Sequence, residues 1–295
     1  MVRERNFVSV VVTAISCMLL ACGCSGPGQN GGGEAQDTQI ATFSSAPVTG
    51  NTSKQAAAPR VAKASSSDPL EIPALTKDDV IIRHGGFVVS YNDEWYIPNW
   101  VAYELTEEEL DGYEERGDRM FSMDPKYRKT QAMREDYSGS GWTKGHMAPA
   151  ADFRWSSDAM DETFYLTNVC PQDEALNAND WEYLERQVRS WARKYGRAWV
   201  VTGPIVNENK YGRIGERGVV VPDSFFKAVL VPKNGKYCSI AFVMDNDAKR
   251  YWLRDCALSV NELEDITGTD FFPALDDSVE NSVEGQLRFS DWGIK

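Results

Sequence analysis

Histidine is scarce in this sequence: His84 and His146 are its only two in 295 residues. A side chain that exchanges a proton near neutral pH therefore has few places to be. Excess positive charge is missing as well. The formal net charge is −13, and residues 1–75 hold five Lys+Arg against five Asp+Glu, so the acidity lies in the rest of the chain. Such a balance excludes a broad basic footprint for a polyanion. A polyanion is then held only where cations cluster or a divalent metal bridges. Long apolar runs are also lacking. Phe7–Leu20 is too short to span a bilayer comfortably. No internal repeat is visible.

What is present divides the chain in three. Arg3 and Arg5 precede the apolar run, which ends in Leu19-Leu20-Ala21-Cys22. That ending resembles a bacterial lipobox, so residues 1–21 are read as a lipoprotein signal and Cys22 as the site of an N-terminal lipid anchor. Cys24 is a weaker candidate for the anchor. An ordinary cleaved signal is the alternative; either reading makes the protein exported, on a membrane, in the periplasm or secreted. Residues 22–75 are rich in Gly, Ser, Ala, Thr, Gln and Pro and form a flexible linker. Residues 76–295 are one domain's worth of chain, and the nine tryptophans, starting at Trp95, all fall within it. Its three cysteines, Cys170, Cys238 and Cys256, are read as buried thiols in preference to a Cys238–Cys256 bridge.

Hydrophobic spacing gives an α+β class. Val80–His84 and Phe87–Tyr91 read as strands around Gly85-Gly86. Glu94–Leu105 is a third, whose Trp95, Tyr96 and Trp100 are assigned to the core rather than to base stacking. Thr106–Glu114 reads as a short acidic helix capped by Thr106, Asp124–Tyr137 as loop, and Phe164–Leu166 as a short strand. Trp181, Leu184, Val188 and Trp191 share one face of a helix over Trp181–Tyr195. Ala198–Thr202, ended by Gly203-Pro204, and Val219–Val221 are buried strands. Lys227–Val231 and Tyr237–Met244 form a hairpin around Asn234-Gly235, and Ser259–Thr267 is a helix stopped by Gly268. Hairpins dominate, so a central antiparallel sheet flanked by helices is expected.

Two segments concentrate chemistry. In GWTKGHMAPAADFRWSS, Gly141–Ser157, His146 follows Gly145 and precedes a turn stiffened by Pro149. Positioned there it is a candidate base. Positioned proton transfer supplies roughly 10²–10⁴-fold, too little for phosphodiester hydrolysis without a metal and cations. In TNVCPQDEALNANDWEYLERQVRSW, Thr167–Trp191, the Asn177 amide oxygen is a hard, neutral donor suited to magnesium, or else a helix cap. Glu185 and Arg189 share a helix face at i, i+4, as functional partners or as a surface salt bridge. His84, at a strand end, is read as structural.

The segments GWTKGHMAPAADF, TFYLTNVCPQ, LNANDWEYLE, TGP, VPDSFFK and LEDITGTDFF occur in the order found in the DNA/RNA non-specific endonuclease family, and the sequence resembles it from about Trp100 to Phe272. The resemblance implies a ββα-metal (His-Me finger) site. It also implies Mg²⁺- or Mn²⁺-dependent cleavage of DNA or RNA to 5′-phosphate ends. It makes His146 the general base and Asn177 the metal ligand. Glu185 orients water at the metal, Arg189 and Arg119 meet phosphate, and Asn168 supports the site. One departure is clear. Thr143-Lys144-Gly145-His146 stands where the family has Asp-Arg-Gly-His, so Lys144 keeps the charge without the guanidinium fork. That change and the acidic balance leave two alternatives open: a decayed, binding-only lipoprotein, and a phosphodiesterase with another target.

Overall fold

The computed structural model describes residues 69–294. The expected signal, the Cys22 anchor and nearly all of the linker lie outside the described residues; among the described residues no helix is long and apolar enough to cross a membrane. In chain order the strands are β1 Val80–Arg83, β2 Val88–Asn92, β3 Ile97–Thr106, β4 Thr143–His146, β5 Val169–Gln172, β6 Arg197–Ile205, β7 Arg213–Ile214, β8 Val219–Val220, β9 Ser224–Lys233, β10 Lys236–Asp245 and β11 Ala257–Leu258. The helices are α1 Ser157–Thr163, α2 Glu182–Tyr195, α3 Leu253–Cys256, α4 Val260–Thr267, α5 Asp277–Glu284 and α6 Phe289–Trp292.

Seven strands form one antiparallel sheet in the order β1-β2-β3-β6-β9-β10-β11, as the hairpin signals led one to expect. The β9–β10 turn uses Asn234 and Gly235, both at positive φ (52° and 73°), which suits Asn-Gly in a two-residue hairpin. Both faces are covered, and strand alternation sorts the side chains between them. On β3, Val101, Tyr103 and Leu105 face one core with the α2 residues Leu184, Val188 and Trp191. Trp100 and Ala102 face a second core with Val260 and Leu263 of α4 and Phe271 and Phe272. Leu70 and Ile72 also pack on this second core. β9 follows the same rule, with one exception in kind: Phe225 and Val229 enter the first core, and Lys227 lies between them in parity, wholly buried.

Several expected elements differ. Thr106–Glu114 makes only a single 3₁₀ turn, Glu109–Asp111. Thr106 does exchange bonds with Glu109, but the chain then leaves the helix so that the Glu114 N–H reaches the Arg154 carbonyl at 3.0 Å. Phe164–Leu166 is no strand; it follows α1, with a lone bridge from Tyr165 to Ser122. β6 runs through Gly203-Pro204 to Ile205. Ser259 caps α4 in a capping box with Glu262, and Gly268 ends it at φ 68°. All three cysteines are free.

Candidate active site

The site is built on a small hairpin apart from the main sheet. β4 pairs with β5 so that Gly145 lies opposite Cys170 and His146 opposite Val169. Gly145 is required: a Cβ there would stand 2.7 Å from the Cβ of Gln172. After His146 the chain is held by Asn168, which is fully buried. Its carboxamide accepts from the Ala148 N–H and donates to the carbonyls of Ala148 and Thr163, each at 2.9 Å. Asn168 is therefore spent on backbone and positions the histidine loop. The His146 ring lies between Phe121 and Phe164, with ring centroids 4.9 and 5.0 Å away. Nε2 is sealed without a hydrogen-bond partner, which leaves Nδ1 as the nitrogen able to meet a molecule in the cleft. Burial first, and the Arg116 guanidinium second, hold the imidazole down to about 3 from an ordinary 6.5.

Asn177 comes from the next element. Gln172 ends β5, and Asp173 caps the following helix through its carboxylate, accepting from Ala175 and Leu176 at 2.9 and 3.1 Å. The cap is thus Asp173, not Asn177. Asn246 pins this joint by bonds to Asp173 N–H and to the Pro171 carbonyl. Residues Leu176–Trp181 form a π-helical turn that runs into α2, a local widening often found at functional sites. Asn177 sits in that turn. Its Nδ2 donates to Thr143 Oγ1 at 3.2 Å, and Thr143 in turn donates to the Gln172 carbonyl at 2.9 Å. The amide nitrogen is therefore committed to the hairpin, and the carbonyl oxygen is the end left for the cleft. Among the described residues no three His, Cys, Asp or Glu side chains cluster to hold a metal. One hard oxygen, with Glu185 lining the same cleft, fits an ion that keeps most of its waters, such as magnesium, rather than a protein cage.

Beneath the cleft lies a charged layer. Asp152 is buried; its carboxylate accepts from Tyr103 Oη at 2.8 Å and pairs with Arg189 Nη1 at 2.7 Å. Burial raises the Glu185 carboxyl, and the nearby Lys227 and Arg189 pull it back towards ionisation. Lys227 is the counterpart. Its Nζ has no hydrogen-bond partner and stands 4.9 Å from the centre of the Trp181 ring, and burial lowers its proton affinity.

These parts meet in a cleft of about 900 Å³ lined by His146, Asn177, Glu185 and Lys144, with Arg116 and Arg154 on its wall. Lys144 lies over the Tyr137 and Phe121 rings, 5.0 and 5.9 Å away. Two expected contacts stand elsewhere. Arg189 is paired with Asp152 below the cleft, and Arg119 is engaged by Asp161 and by Ser157 Oγ at 2.8 Å. Neither lines the cleft. His84 is buried 3.1 Å from Asp124, remote in its contacts from the site. Arg116, Arg154, Thr143 and Lys227 were not singled out as site residues from sequence. The one available signal was Lys227, a lysine inside the apolar run SFFKAVL.

The chain matches the DNA/RNA non-specific endonuclease family over residues 67–278. It is 34% identical over 212 residues to mitochondrial nuclease EXOG of Mus musculus, covering 66% of this chain and 58% of that one. It is 35% identical over 223 residues to nuclease C1 of Cunninghamella echinulata, covering 69% and 86%. Human mitochondrial endonuclease G is 37% identical over 171 residues, covering 54% and 58%. The match thus spans under three fifths of the EXOG relative. A solved structure of an EndoG/EndoGI complex, described as showing the mechanism of EndoG inhibition, superposes with a TM-score of 0.66 at 28% identity, covering 71% of this chain and 91% of that one. The family model covers more than half of the sequence, and the chain belongs to the DNA/RNA non-specific endonuclease family.

Proposed function

We propose that this protein is a metal-dependent endonuclease that hydrolyses phosphodiester bonds of DNA or RNA with little sequence preference, leaving 5′-phosphate ends. The observation that carries this reading is the meeting of His146 and Asn177 in one cleft with Glu185 and the cations Lys144, Arg116 and Arg154. Asn177 Oδ1 would hold Mg²⁺ or Mn²⁺ beside Glu185; the ion, when bound, supplies Lewis-acid stabilisation of charge at the phosphate and the leaving oxygen.

The chain's own residues do the rest. His146, neutral at physiological pH, takes a proton from the attacking water at Nδ1. Its proton affinity in the free protein is low, in part because Arg116 is close. A phosphate in the cleft offsets that charge, so the base strengthens when the substrate arrives. Lys144, Arg116 and Arg154 balance the phosphate as the P–O3′ bond breaks. Glu185, whose carboxyl burial pushes up to about 7 against the pull of Lys227 and Arg189, orients the water in its ionised form. Arg189 and Arg119 act by positioning in this reading.

Plasmid and RNA cleavage with Mg²⁺, Mn²⁺ or EDTA, beside His146→Ala, tests it. Metal-dependent cutting that the substitution reduces by at least 10²-fold is expected. Equal inertness of both proteins on both substrates would sink it. We further infer export and lipidation at Cys22, supported by Leu19-Leu20-Ala21-Cys22 alone. Failure to incorporate labelled palmitate in cells would remove that inference.

A further inference from the structure

A second groove, of about 740 Å³, opens on the other side of the π turn and is lined by Tyr183, Arg186, Arg250, Trp252 and Arg254. It shares Ala178 and Glu182 with the catalytic cleft, so the two form one surface that passes the residue next to Asn177. The groove is tied to the catalytic turn by Asp180, which is buried in that turn. One carboxylate oxygen of Asp180 accepts from the Tyr251 N–H at 2.8 Å, and the other pairs with Arg250 Nε at 3.2 Å. The segment carrying Trp252 is thereby clamped to the element that positions Asn177.

The composition of this groove is specific. Trp252 is 78% exposed, and its ring stacks on no other ring among the described residues. Its backbone is fixed, because the Trp252 carbonyl accepts from Asp255 and Cys256 at the start of α3. Tyr183 is 44% exposed beside Arg186, whose guanidinium lies 5.6 Å from the tyrosine ring centre. The Arg250 side chain is 79% exposed, with only Nε engaged by Asp180. Three arginines thus face two acids, Asp180 and Glu182, on a chain with a net charge of −13. Exposed rigid aromatics alternating with guanidinium groups suit a strand whose bases are unstacked and whose phosphates are spaced along a track.

We propose that this groove binds the single-stranded part of a nucleic-acid substrate beyond the scissile phosphate, with Trp252 and Tyr183 stacking on bases and Arg250 and Arg254 meeting backbone phosphates. The inference rests on the nuclease reading above. A duplex would offer Trp252 no open base face, so the groove favours an unpaired segment.

The test uses the full chain, with Trp252→Ala, Trp252→Phe and the pair Arg250→Gln/Arg254→Gln. Two quantities are read. One is kcat/KM with Mg²⁺ on a single-stranded oligonucleotide of about twelve nucleotides relative to a trinucleotide, a length spanning the site sizes typical of stacking grooves. The other is the anisotropy of the same labelled oligonucleotide in EDTA. Trp252→Ala is expected to lower the long-to-short ratio and to weaken binding, each by about tenfold, with Trp252→Phe restoring most of both. An unchanged ratio and unchanged anisotropy in Trp252→Ala would overturn the groove, as would duplex binding tighter than strand binding and indifferent to Trp252. If wild type cuts neither substrate, the nuclease reading falls, and the EDTA binding then decides the groove by itself.

Discussion

At the scale of single residues, the departure at Thr143 has a defined consequence. Thr143 Oγ1 accepts a hydrogen bond from the Asn177 amide and donates one to the Gln172 carbonyl. It is the partner that orients the amide proposed to hold the metal. Outer-shell partners of this kind change metal affinity by about 10–100-fold when removed. Thr143→Val is therefore expected to raise the Mg²⁺ concentration for half-maximal cleavage by at least tenfold with little change at saturating metal. Thr143→Ser should restore it. A metal titration of the cleavage rate checks this, and an unaltered midpoint would show that Asn177 is oriented by other means. Lys227 gives the pH prediction. Its ammonium favours the ionised form of Glu185, which burial otherwise disfavours. Replacement by methionine removes that attraction, so the Glu185 carboxyl rises further, and the acid limb of kcat/KM moves to higher pH by on the order of one unit. Lys227 Nζ makes no hydrogen bond, and the Glu185 carboxyl it faces can take up a proton once the ammonium is gone, so below the shifted acid limb an apolar replacement of similar length should not lower the melting temperature much. A shift in the profile without a loss of stability separates this role from a merely structural one.

At the scale of elements, the hairpin of β4 and β5 does the assembling, and Gly145 is its tightest point. Any side chain there meets Gln172, itself fully buried. Gly145→Ala is expected to cost about 1–3 kcal/mol by overpacking and to displace His146, so cleavage should fall well beyond the fraction unfolded. Calorimetry with parallel rate measurement distinguishes the two contributions. A variant with wild-type melting and wild-type rate would mean the hairpin has more room than its close approach indicates. The same hairpin shows what was legible in the sequence. The sheet hairpins, α2 and α4 announce themselves through alternation, 3.6-residue spacing and the Ser259 and Gly268 caps, since each burial face is written locally. The motifs single out His146, Asn177 and Glu185, and the fold brings all three into the lining of one cleft. What was not legible depends on contacts distant in sequence. The π turn has no periodic signature. Phe164 reads as strand but covers His146. Arg119 and Arg116 are three residues apart in one loop, and only the position of Asp161 decides which of them is occupied and which faces the cleft. Lys227 looked like a strand residue because its partners, Glu185 and Asp152, come from other elements.

At the scale of the whole molecule, the charge distribution sets how the protein meets a polyanion. With a net charge of −13 there is no general attraction, so affinity has to come from counted local contacts. In the cleft these are Lys144, Arg116 and Arg154, opposed by Glu114, Glu115, Glu182 and Glu185. Each phosphate neutralised releases condensed counterions and contributes about −0.7 to the slope of log affinity against log salt for a single strand. Three contacts give a slope of about −2. A strand long enough to reach Arg250 and Arg254 as well should approach about −3.5. The measurement is 1/KM between low and physiological salt for a short and a long single strand, at fixed free Mg²⁺. Slopes ordered in this way would show that a protein whose net charge repels a nucleic acid at long range captures the strand through a short cationic path across the π turn. Equal slopes for both lengths would confine binding to the cleft. A slope steeper than about −6 would mean that cations outside both grooves hold the strand, against the acidic surface that the rest of the chain presents.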